Sequence, residues 1–131
     1  MICIDTNVLI RYITSDDLEQ SEKAEQLIQS AVAVEEDIFI SDITLCEVVW
    51  VLSSGYKLSR EKISAVLWSL FDTVQLKFKS KELMFSAIQF YEDGHCDFAD
   101  HMIWLDAKLC GCRTIYTFDK KFGKEHGIEV L

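Results

Sequence analysis

Short apolar runs alternate with helical patterns along the whole chain, and this alternation limits the possible folds more than any other feature. Apolar runs short enough for buried strands cover residues 2–4, 38–40, 74–78, 114–117 and 128–130. Apolar side chains at helical spacing indicate helices over residues 6–13, 17–34, 43–54, 83–91 and 98–109, and a further one that begins after Ser59. Strands that alternate with helices form a parallel sheet with helices on both faces. The sequence therefore predicts the α/β class.

The size and composition of the chain fit one folded domain over residues 1–131. Half of the residues are hydrophobic, there is no proline, and there are only five glycines. A chain of this length buries a sizeable core without disulfides or structural metals. The N-terminus has no signal-peptide pattern, and no run reaches the roughly 18 apolar residues of a membrane span. We therefore expect a cytoplasmic protein with no membrane partner.

The five cysteines, an odd number, are expected to be small core residues in a reducing compartment. Cys110 and Cys112 flank a glycine, and a soft metal could bind there. A tetrahedral site needs about four ligands, however, and no second Cys/His pair stands at a matching spacing. The structural role is therefore preferred for these two thiols.

Carboxylates follow three of the predicted strands. Asp5 comes directly after the first apolar run, Asp42 follows the second, and Asp119 follows the run that ends at Thr117. Glu47 adds a carboxylate from the helix after the second strand, beside the apolar face of that helix. Ligands of open α/β sheets bind outside the carboxyl ends of the strands. The sequence therefore predicts an acidic site at this edge of the sheet.

Two further carboxylates, Asp97 and Asp100, lie on one face of the helix over residues 98–109. That helix is apolar nearly all round and is expected to be central and buried. Burial of a carboxylate is costly without a compensating group. Two like charges about 4 Å apart repel by roughly 4 kcal/mol at an effective dielectric constant of about 20. A cluster of four acids therefore needs a cation or raised pKa values, and oxygen ligands select Mg²⁺ or Mn²⁺.

Each of these acids also has a purely structural interpretation. Asp5 and Asp119 could cap the helix and the turn that follow them, and Glu47 could be an ordinary helix-flank residue. Capping of the buried helix is the preferred main role of Asp97. Singly these signals are weak, but their joint position at strand ends and on an apolar helix indicates a functional site.

Four segments resemble the motifs of the PIN-domain family. Residues 4–10 contain Asp-Thr-Asn, residues 41–47 end in Glu, residues 97–103 hold an Asp before a Met-Ile pair, and residues 117–122 begin with Thr-Phe-Asp. The four segments lie in the family's order and span the chain. The resemblance implies a three-layer α/β/α sandwich with a central parallel sheet of about five strands. It further implies a VapC-like toxin ribonuclease of a type II toxin–antitoxin pair.

The resemblance also assigns roles to individual residues. The implied catalytic residues, which are also the implied Mg²⁺ or Mn²⁺ ligands, are Asp5, Glu47, Asp100 and Asp119. The implied accessory residues are Asp97, Thr6, Asn7 and Thr117. Asn7 would hold Asp5 by hydrogen bonding, and Thr117 would support Asp119 through its hydroxyl group. His101 stands where many relatives have a small residue, and a packing or surface role is preferred over substrate contact.

The activity implied by the resemblance is endonucleolytic cleavage of RNA by a metal-activated water molecule. The implied partners are RNA, a second copy of the chain in a homodimer, and a cognate antitoxin whose C-terminal segment blocks the active site. The net charge of −9 does not favour RNA binding through the overall field. RNA binding is therefore expected to depend on the metal, on the partner subunit, or on local basic residues. The candidate basic residues are Lys120, Lys121 and Lys124.

Other functions fit the sequence less well. A phosphatase of the haloacid-dehalogenase type also opens with Asp after the first strand, but it needs a second Asp where this chain has Asn7. A receiver domain needs an N-terminal acidic pair and a phosphorylatable Asp at the end of a middle strand, and neither is clear here. A flap-type nuclease needs long insertions for which the chain has no room. A non-catalytic PIN scaffold that binds RNA or a protein stays open, although the presence of all four acids favours catalysis.

Overall fold

The computed structural model describes residues 1–94 and 96–131. The chain forms two compact units, which consist of residues 1–81 and 82–131. None of the helices in the described residues is long and apolar enough to cross a membrane.

The sheet of the first unit has three parallel strands, in the order β1 (Ile2–Cys3), β2 (Ile38–Ile40) and β3 (Leu76–Phe78). Ile38 pairs with residue 2 on one side and with residue 76 on the other, so β2 is the central strand. The side chains of Ile38 and Ile40 are completely buried. Almost continuously apolar strands of this kind are typical of parallel sheets.

Four helices complete the first unit: α1 (Thr6–Ile13), α2 (Leu18–Ala33), α3 (Asp42–Ser54) and α4 (Arg60–Phe71). Each helix begins after a residue whose side chain accepts a hydrogen bond from the backbone N–H three residues later, which satisfies a donor that the helix itself cannot pair. These capping residues are Asp5, Asp17, Ser41 and Ser59. The helix side chains with no exposed surface include Leu9, Leu45, Leu52, Ile63 and Leu67. They form the apolar core of the unit.

The helix α5 (Lys81–Glu92) begins at the boundary between the units. The remaining elements are α6 (Phe98–Leu109), β4 (Ile115–Thr117), a 3₁₀ turn (Phe122–Lys124) and β5 (Ile128–Val130). The strands β4 and β5 pair in parallel, with Ile115 opposite Ile128. A small core of Cys96, Phe122 and Ile128 packs against the partly buried side chains of Trp104 and Ile115.

The six helices and five strands that the sequence predicts are present, and the α/β class and the parallel pairing are confirmed. The strands, however, form one hydrogen-bonded sheet of three and another of two. A single sheet of about five strands was the expectation. It is not met because, among the described residues, β4 hydrogen-bonds only to β5. Strands of two or three residues carry too little pattern to reveal their neighbours.

The prediction that α6 is a buried helix holds for one of its faces only. Its buried side chains form a single stripe at helical spacing, and they are Phe98, His101, Met102 and Leu105. Ile103 and Leu109 lie off this stripe and are 53% and 65% exposed. Apolar composition indicated burial, but it does not reveal which face of a helix meets a core.

Three of the five cysteines contradict the expectation of core positions. The exposed thiols belong to Cys3, Cys110 and Cys112, whereas Cys96 is buried and Cys46 is partly buried. Gly111, between two of the exposed thiols, has a φ of +75°. A glycine in this left-handed conformation ends many helices. The turn that it makes after α6 lies at the surface, so the thiols beside it are exposed.

Candidate functional site

Asp5 follows β1 and is the N-cap of α1. Its Oδ1 atom accepts a 3.1 Å hydrogen bond from the backbone N–H of Val8, so the interpretation of Asp5 as a helix cap is confirmed. The side chain is exposed, and its Oδ2 atom makes no hydrogen bond within the described residues. Capping therefore uses one carboxylate oxygen and leaves the other able to bind a ligand.

Glu47 lies on α3 and is joined to the first residue of α1. The hydroxyl group of Thr6 donates a hydrogen bond of 2.6 Å to Oε2 of Glu47. A hydrogen bond to an ionised carboxylate is about twice as strong as one between neutral groups. Asn7, which was expected to hold Asp5 by hydrogen bonding, makes no side-chain hydrogen bond within the described residues. Within the Asp-Thr-Asn segment, Thr6 therefore hydrogen-bonds the acid Glu47, whereas the expected hydrogen bond from Asn7 to Asp5 is absent from the described residues.

A cavity of about 330 Å³ opens beside Asp5 in the first unit. Its lining residues include Asp5, Asn7, Arg11, Gln20 and Lys23. The guanidinium group of Arg11 donates to Oε1 of Gln20 at 2.7 Å and to Oδ1 of Asp16 at 3.1 Å, so its position is fixed. Sequence reasoning missed Arg11, although its position four residues after Asn7 places both on one side of α1.

Asp100 is the most perturbed acid of the second unit. Partial burial raises the pKa of its carboxyl group above the ordinary value, and the negative charges of Asp97 and Asp119 raise this pKa further. A hydrogen bond from the backbone of Asp97 opposes the shift. Like charges disfavour the ionised form of a neighbour. The charges of Asp97, at the start of α6, and of Asp119, after the end of β4, therefore both act on Asp100.

Asp97 occupies the N-cap position of α6, but its side chain makes no capping hydrogen bond. The prediction that capping is its main role is therefore wrong for the carboxylate. The backbone of Asp97 is extended, with a φ of −68° and a ψ of 151°, as is typical of a residue that precedes a helix. The sequence therefore predicts the backbone conformation of Asp97, but it does not predict the direction in which the carboxylate points.

Asp119 is held by hydrogen bonds on both its backbone and its side chain. Its backbone N–H donates to the hydroxyl oxygen of Thr117 at 3.0 Å, in agreement with the predicted supporting role of Thr117. Its Oδ1 atom accepts from the backbone N–H groups of Lys121 at 2.8 Å and Phe122 at 3.2 Å. Asp119 therefore caps the 3₁₀ turn, and its carboxylate has a defined position. The side chains of Lys120 and Lys121 are exposed beside it.

His101 is 1% exposed and has the predicted packing role. Its ring stacks on Phe90, with the centroids 4.9 Å apart and the planes at 17°. Its Nε2 atom lies 3.2 Å from the thiol sulfur of Cys96, at hydrogen-bonding distance. A buried ring with these contacts cannot reach a bulky substrate without unpacking the unit.

The acids of both units have the chemistry of an Mg²⁺ or Mn²⁺ site, because both ions prefer carboxylate oxygens. Asp5 and Glu47 belong to the first unit, and Asp97, Asp100 and Asp119 belong to the second. Within residues 1–94 and 96–131, no three His, Cys, Asp or Glu side chains form a group that could hold a metal ion. The carboxylate oxygens of each unit are therefore of the chemical type that a divalent cation prefers.

Comparison with known proteins agrees with the fold class. Residues 2–125 match the family model of the PIN domain. The chain is also similar to a VapC ribonuclease of Aquifex aeolicus (strain VF5), with 27% identity over 124 residues that cover 95% of this chain and 91% of that protein. Six helices and parallel strands agree with an α/β sandwich. The match over nearly the full length shows that the chain belongs to the PIN domain family.

Proposed function

We propose that this protein is a divalent-metal-dependent endoribonuclease that acts as the toxin of a toxin–antitoxin pair. The observation that carries the proposal is that two acids, Asp97 where α6 begins and Asp119 after β4, both act electrostatically on the partly buried Asp100. Negative charges that act on a partly buried carboxylate are unfavourable in the absence of a cation. Membership of the PIN domain family and the similarity to a VapC ribonuclease support the same activity.

The residues that would hold Mg²⁺ or Mn²⁺ are Asp5, Glu47, Asp100 and Asp119. When bound in such a site, a divalent cation lowers the pKa of water and neutralises charge on a phosphate group. The Oδ2 atom of Asp5 makes no hydrogen bond within the described residues, which supports its assignment as a ligand. The side chain of Asp97 makes no capping hydrogen bond, which supports an accessory role beside Asp100.

Glu47 is the residue that we assign to the orientation or deprotonation of the attacking water. Thr6 occupies its Oε2 atom and fixes the direction of the carboxylate, so Oε1 can accept a hydrogen bond from water. In-line attack on the phosphodiester would leave a 5′-phosphate and a 3′-hydroxyl. Thr117 keeps the backbone of Asp119 in place during this step. No nucleophilic cysteine or serine is required.

The proposed biological setting follows from the similarity to the VapC ribonuclease. We assign the whole of residues 1–131 to one PIN domain that works in the cytoplasm as a homodimer. A cognate antitoxin would block the active site with its C-terminal segment. The exposed Lys120 and Lys121 beside Asp119 are proposed to contact the RNA.

A PIN scaffold that binds RNA without cutting it is the competing function. The observation in its favour is that the described residues contain no preformed group of three metal ligands. The presence of all four acids at strand ends and on helices favours catalysis instead.

The test is incubation of the purified protein with total cellular RNA in Mg²⁺, in Mn²⁺ and in excess EDTA. Asp5→Asn and Asp100→Asn are the disabling variants. Asp106→Asn is the matched control, because Asp106 is an exposed acid on the same helix as Asp100. We expect discrete fragments with the parent and with Asp106→Asn, and none in EDTA or with the other two variants. An active Asp100→Asn protein would overturn the assignment, and RNA binding without cleavage would support the scaffold.

A further inference from the structure

The strand β4 has one buried and one exposed face. Ile115 packs against the small core of the second unit, together with Ile128 of β5. Successive side chains of a strand point to opposite faces, so Tyr116 lies on the side away from that core, and Phe118 is the first residue after the strand. Tyr116 is 56% exposed, and Phe118 is 81% exposed. Two large aromatic side chains, two residues apart in the sequence, are therefore exposed to solvent.

These aromatic residues are next to Asp119, and the backbone around them is fixed. The carbonyl oxygen of Thr117 accepts a 2.8 Å hydrogen bond from the backbone N–H of Leu131, which continues the pairing of β4 and β5. The hydroxyl oxygen of Thr117 accepts from the N–H of Asp119 at 3.0 Å. Phe118 lies between these two tethered residues. Its ring is therefore presented on a rigid segment beside one of the proposed catalytic acids.

Neither aromatic side chain has a partner of its own. Within the described residues, the ring of Phe118 makes no ring contact and the hydroxyl group of Tyr116 makes no hydrogen bond. Exposed apolar clusters commonly mark binding sites. The position of the pair beside Asp119 ties it to the substrate of the proposed site.

Two positively charged residues, Lys120 and Lys121, follow Asp119 in the sequence. The side chains of Lys120 and Lys121 are exposed, and neither has an ion-pair partner among the described residues. The whole chain carries a net charge of −9, so its overall field repels an anionic polymer. A polyanion can therefore approach only where local cations and favourable non-electrostatic contacts coincide, as they do on the two sides of Asp119.

We propose that Tyr116 and Phe118 form a stacking platform for unpaired bases of the RNA strand beside the bond that is cut, while Lys120 and Lys121 contact its phosphates. The inference rests on the proposed ribonuclease function and names the form of its substrate. Sheet aromatics of other RNA-binding modules stack two or three successive bases in this way. Stacking tolerates every base, so the platform selects single-stranded RNA rather than a sequence.

The test measures binding of a short single-stranded RNA to a cleavage-deficient Asp100→Asn background by fluorescence anisotropy. Into this background we would introduce Phe118→Ala, Tyr116→Ala, Phe118→Leu and Phe118→Trp. Leu109→Ala is the matched control, because Leu109 is an apolar residue of the same unit that is 65% exposed. We expect Phe118→Ala to weaken binding by about 5- to 150-fold, the range measured for loss of one stacked base. Phe118→Trp should bind like its parent, and Phe118→Leu should bind as weakly as Phe118→Ala.

Two outcomes would overturn the platform. One is binding by Phe118→Ala and Tyr116→Ala that equals binding by Leu109→Ala. The other is full binding by Phe118→Leu together with a changed oligomeric state of Phe118→Ala in light scattering, because the face would then be an apolar protein interface. Cleavage assays in the unmodified background separate the two proposals. If the protein cleaves RNA and Phe118→Ala does not change the cleavage, only the platform is refuted. If binding depends on the aromatic residues but the unmodified protein does not cleave RNA, only the nuclease function is refuted.

Discussion

The hydroxyl group of Thr6 donates a 2.6 Å hydrogen bond to Oε2 of Glu47, and it joins two helices across 41 residues of sequence. We expect Thr6→Val to lower RNA cleavage by about 10- to 100-fold, because loss of a group that orients a metal-site residue has effects of this size. Thr6→Ser, which keeps the hydroxyl group, should restore most of the activity. The measurement is cleavage rate as a function of Mg²⁺ concentration. Equal rates for the valine and serine variants would show that the hydrogen bond has no part in the reaction.

Replacement of Asp100 by Asn should stabilise the metal-free protein. The folded-state pKa of Asp100 is raised by burial and by the charges of Asp97 and Asp119. An acid whose pKa is higher in the folded state than in the unfolded state destabilises the fold when it is ionised. The penalty grows as pH rises from the unfolded-state pKa to the folded-state pKa, and it is present in full above both values. The neutral amide of Asp100→Asn removes this penalty at pH 7, so the melting temperature in EDTA should rise by a few degrees.

Circular dichroism melts of Asp100→Asn in EDTA between pH 4 and pH 8 test this expectation. The difference from the parent should be small at the acidic end and should grow with pH. Asp106→Asn, on the exposed side of the same helix, should show no such trend. A lower melting temperature for Asp100→Asn at neutral pH would contradict the repulsion among the three carboxylates.

The acid Asp16 should titrate differently when Tyr56 loses its hydroxyl group. The 2.6 Å hydrogen bond from Tyr56 to Oδ2 of Asp16 is the main reason that the pKa of Asp16 lies below its ordinary value of 3.8. A depressed folded-state pKa adds stability that is present above the unfolded-state pKa and is lost as pH falls through the folded-state pKa. In Tyr56→Phe we expect the pKa of Asp16 to move up towards 3.8.

Carboxyl-carbon NMR titration of Tyr56→Phe gives this pKa directly. Tyr12→Phe is the control, because Tyr12 is a partly exposed tyrosine of the same unit and makes no side-chain hydrogen bond to Asp16. An unchanged Asp16 titration in Tyr56→Phe would assign the shift to Arg11 and Thr14 instead.

The buried ring of His101 should matter for stability and not for substrate binding. His101→Ala removes the stacking on Phe90 and leaves a cavity, which should cost about 2–4 kcal/mol of unfolding free energy. His101→Phe keeps a ring of similar shape and loses only the contact with Cys96, so we expect a loss of about 1 kcal/mol. Urea unfolding measures both values. Unchanged stability with a raised KM for RNA would instead assign His101 to substrate contact.

Most elements of the fold could be predicted because their signals are local. The run 38–40 is apolar throughout and becomes β2, and Ser59 caps the helix that follows it. Pairing partners could not be predicted, because β4 has three residues and no feature that distinguishes β5 from another neighbour. Strand pairing depends on tertiary packing, which a pattern of this length does not specify.

The candidate site likewise has features that could be predicted from the sequence and features that could not. Asp5 and Asp119 could be placed at strand ends from the sequence, and their capping roles follow from the turns after them. The direction of a side chain could not be predicted. Asp97 was expected to bond with its own helix and does not, and the partner of Glu47 proved to be Thr6. The contact between Thr6 and Glu47 joins groups 41 residues apart, which a local sequence pattern does not specify.

The pairing of β4 with β5 bears on the order in which the chain acquires structure. Ile115 and Ile128 are 13 residues apart in sequence, whereas the paired residues Ile2 and Ile38 are 36 apart. Closing the shorter loop costs less chain entropy, by about 0.9 kcal/mol for this ratio of lengths. Contacts between residues close in sequence also form faster. In pulsed hydrogen exchange during refolding, the amides of β4 and β5 should thus gain protection first, so the strand that leads to Asp119 would be in place before β1 finds its neighbour.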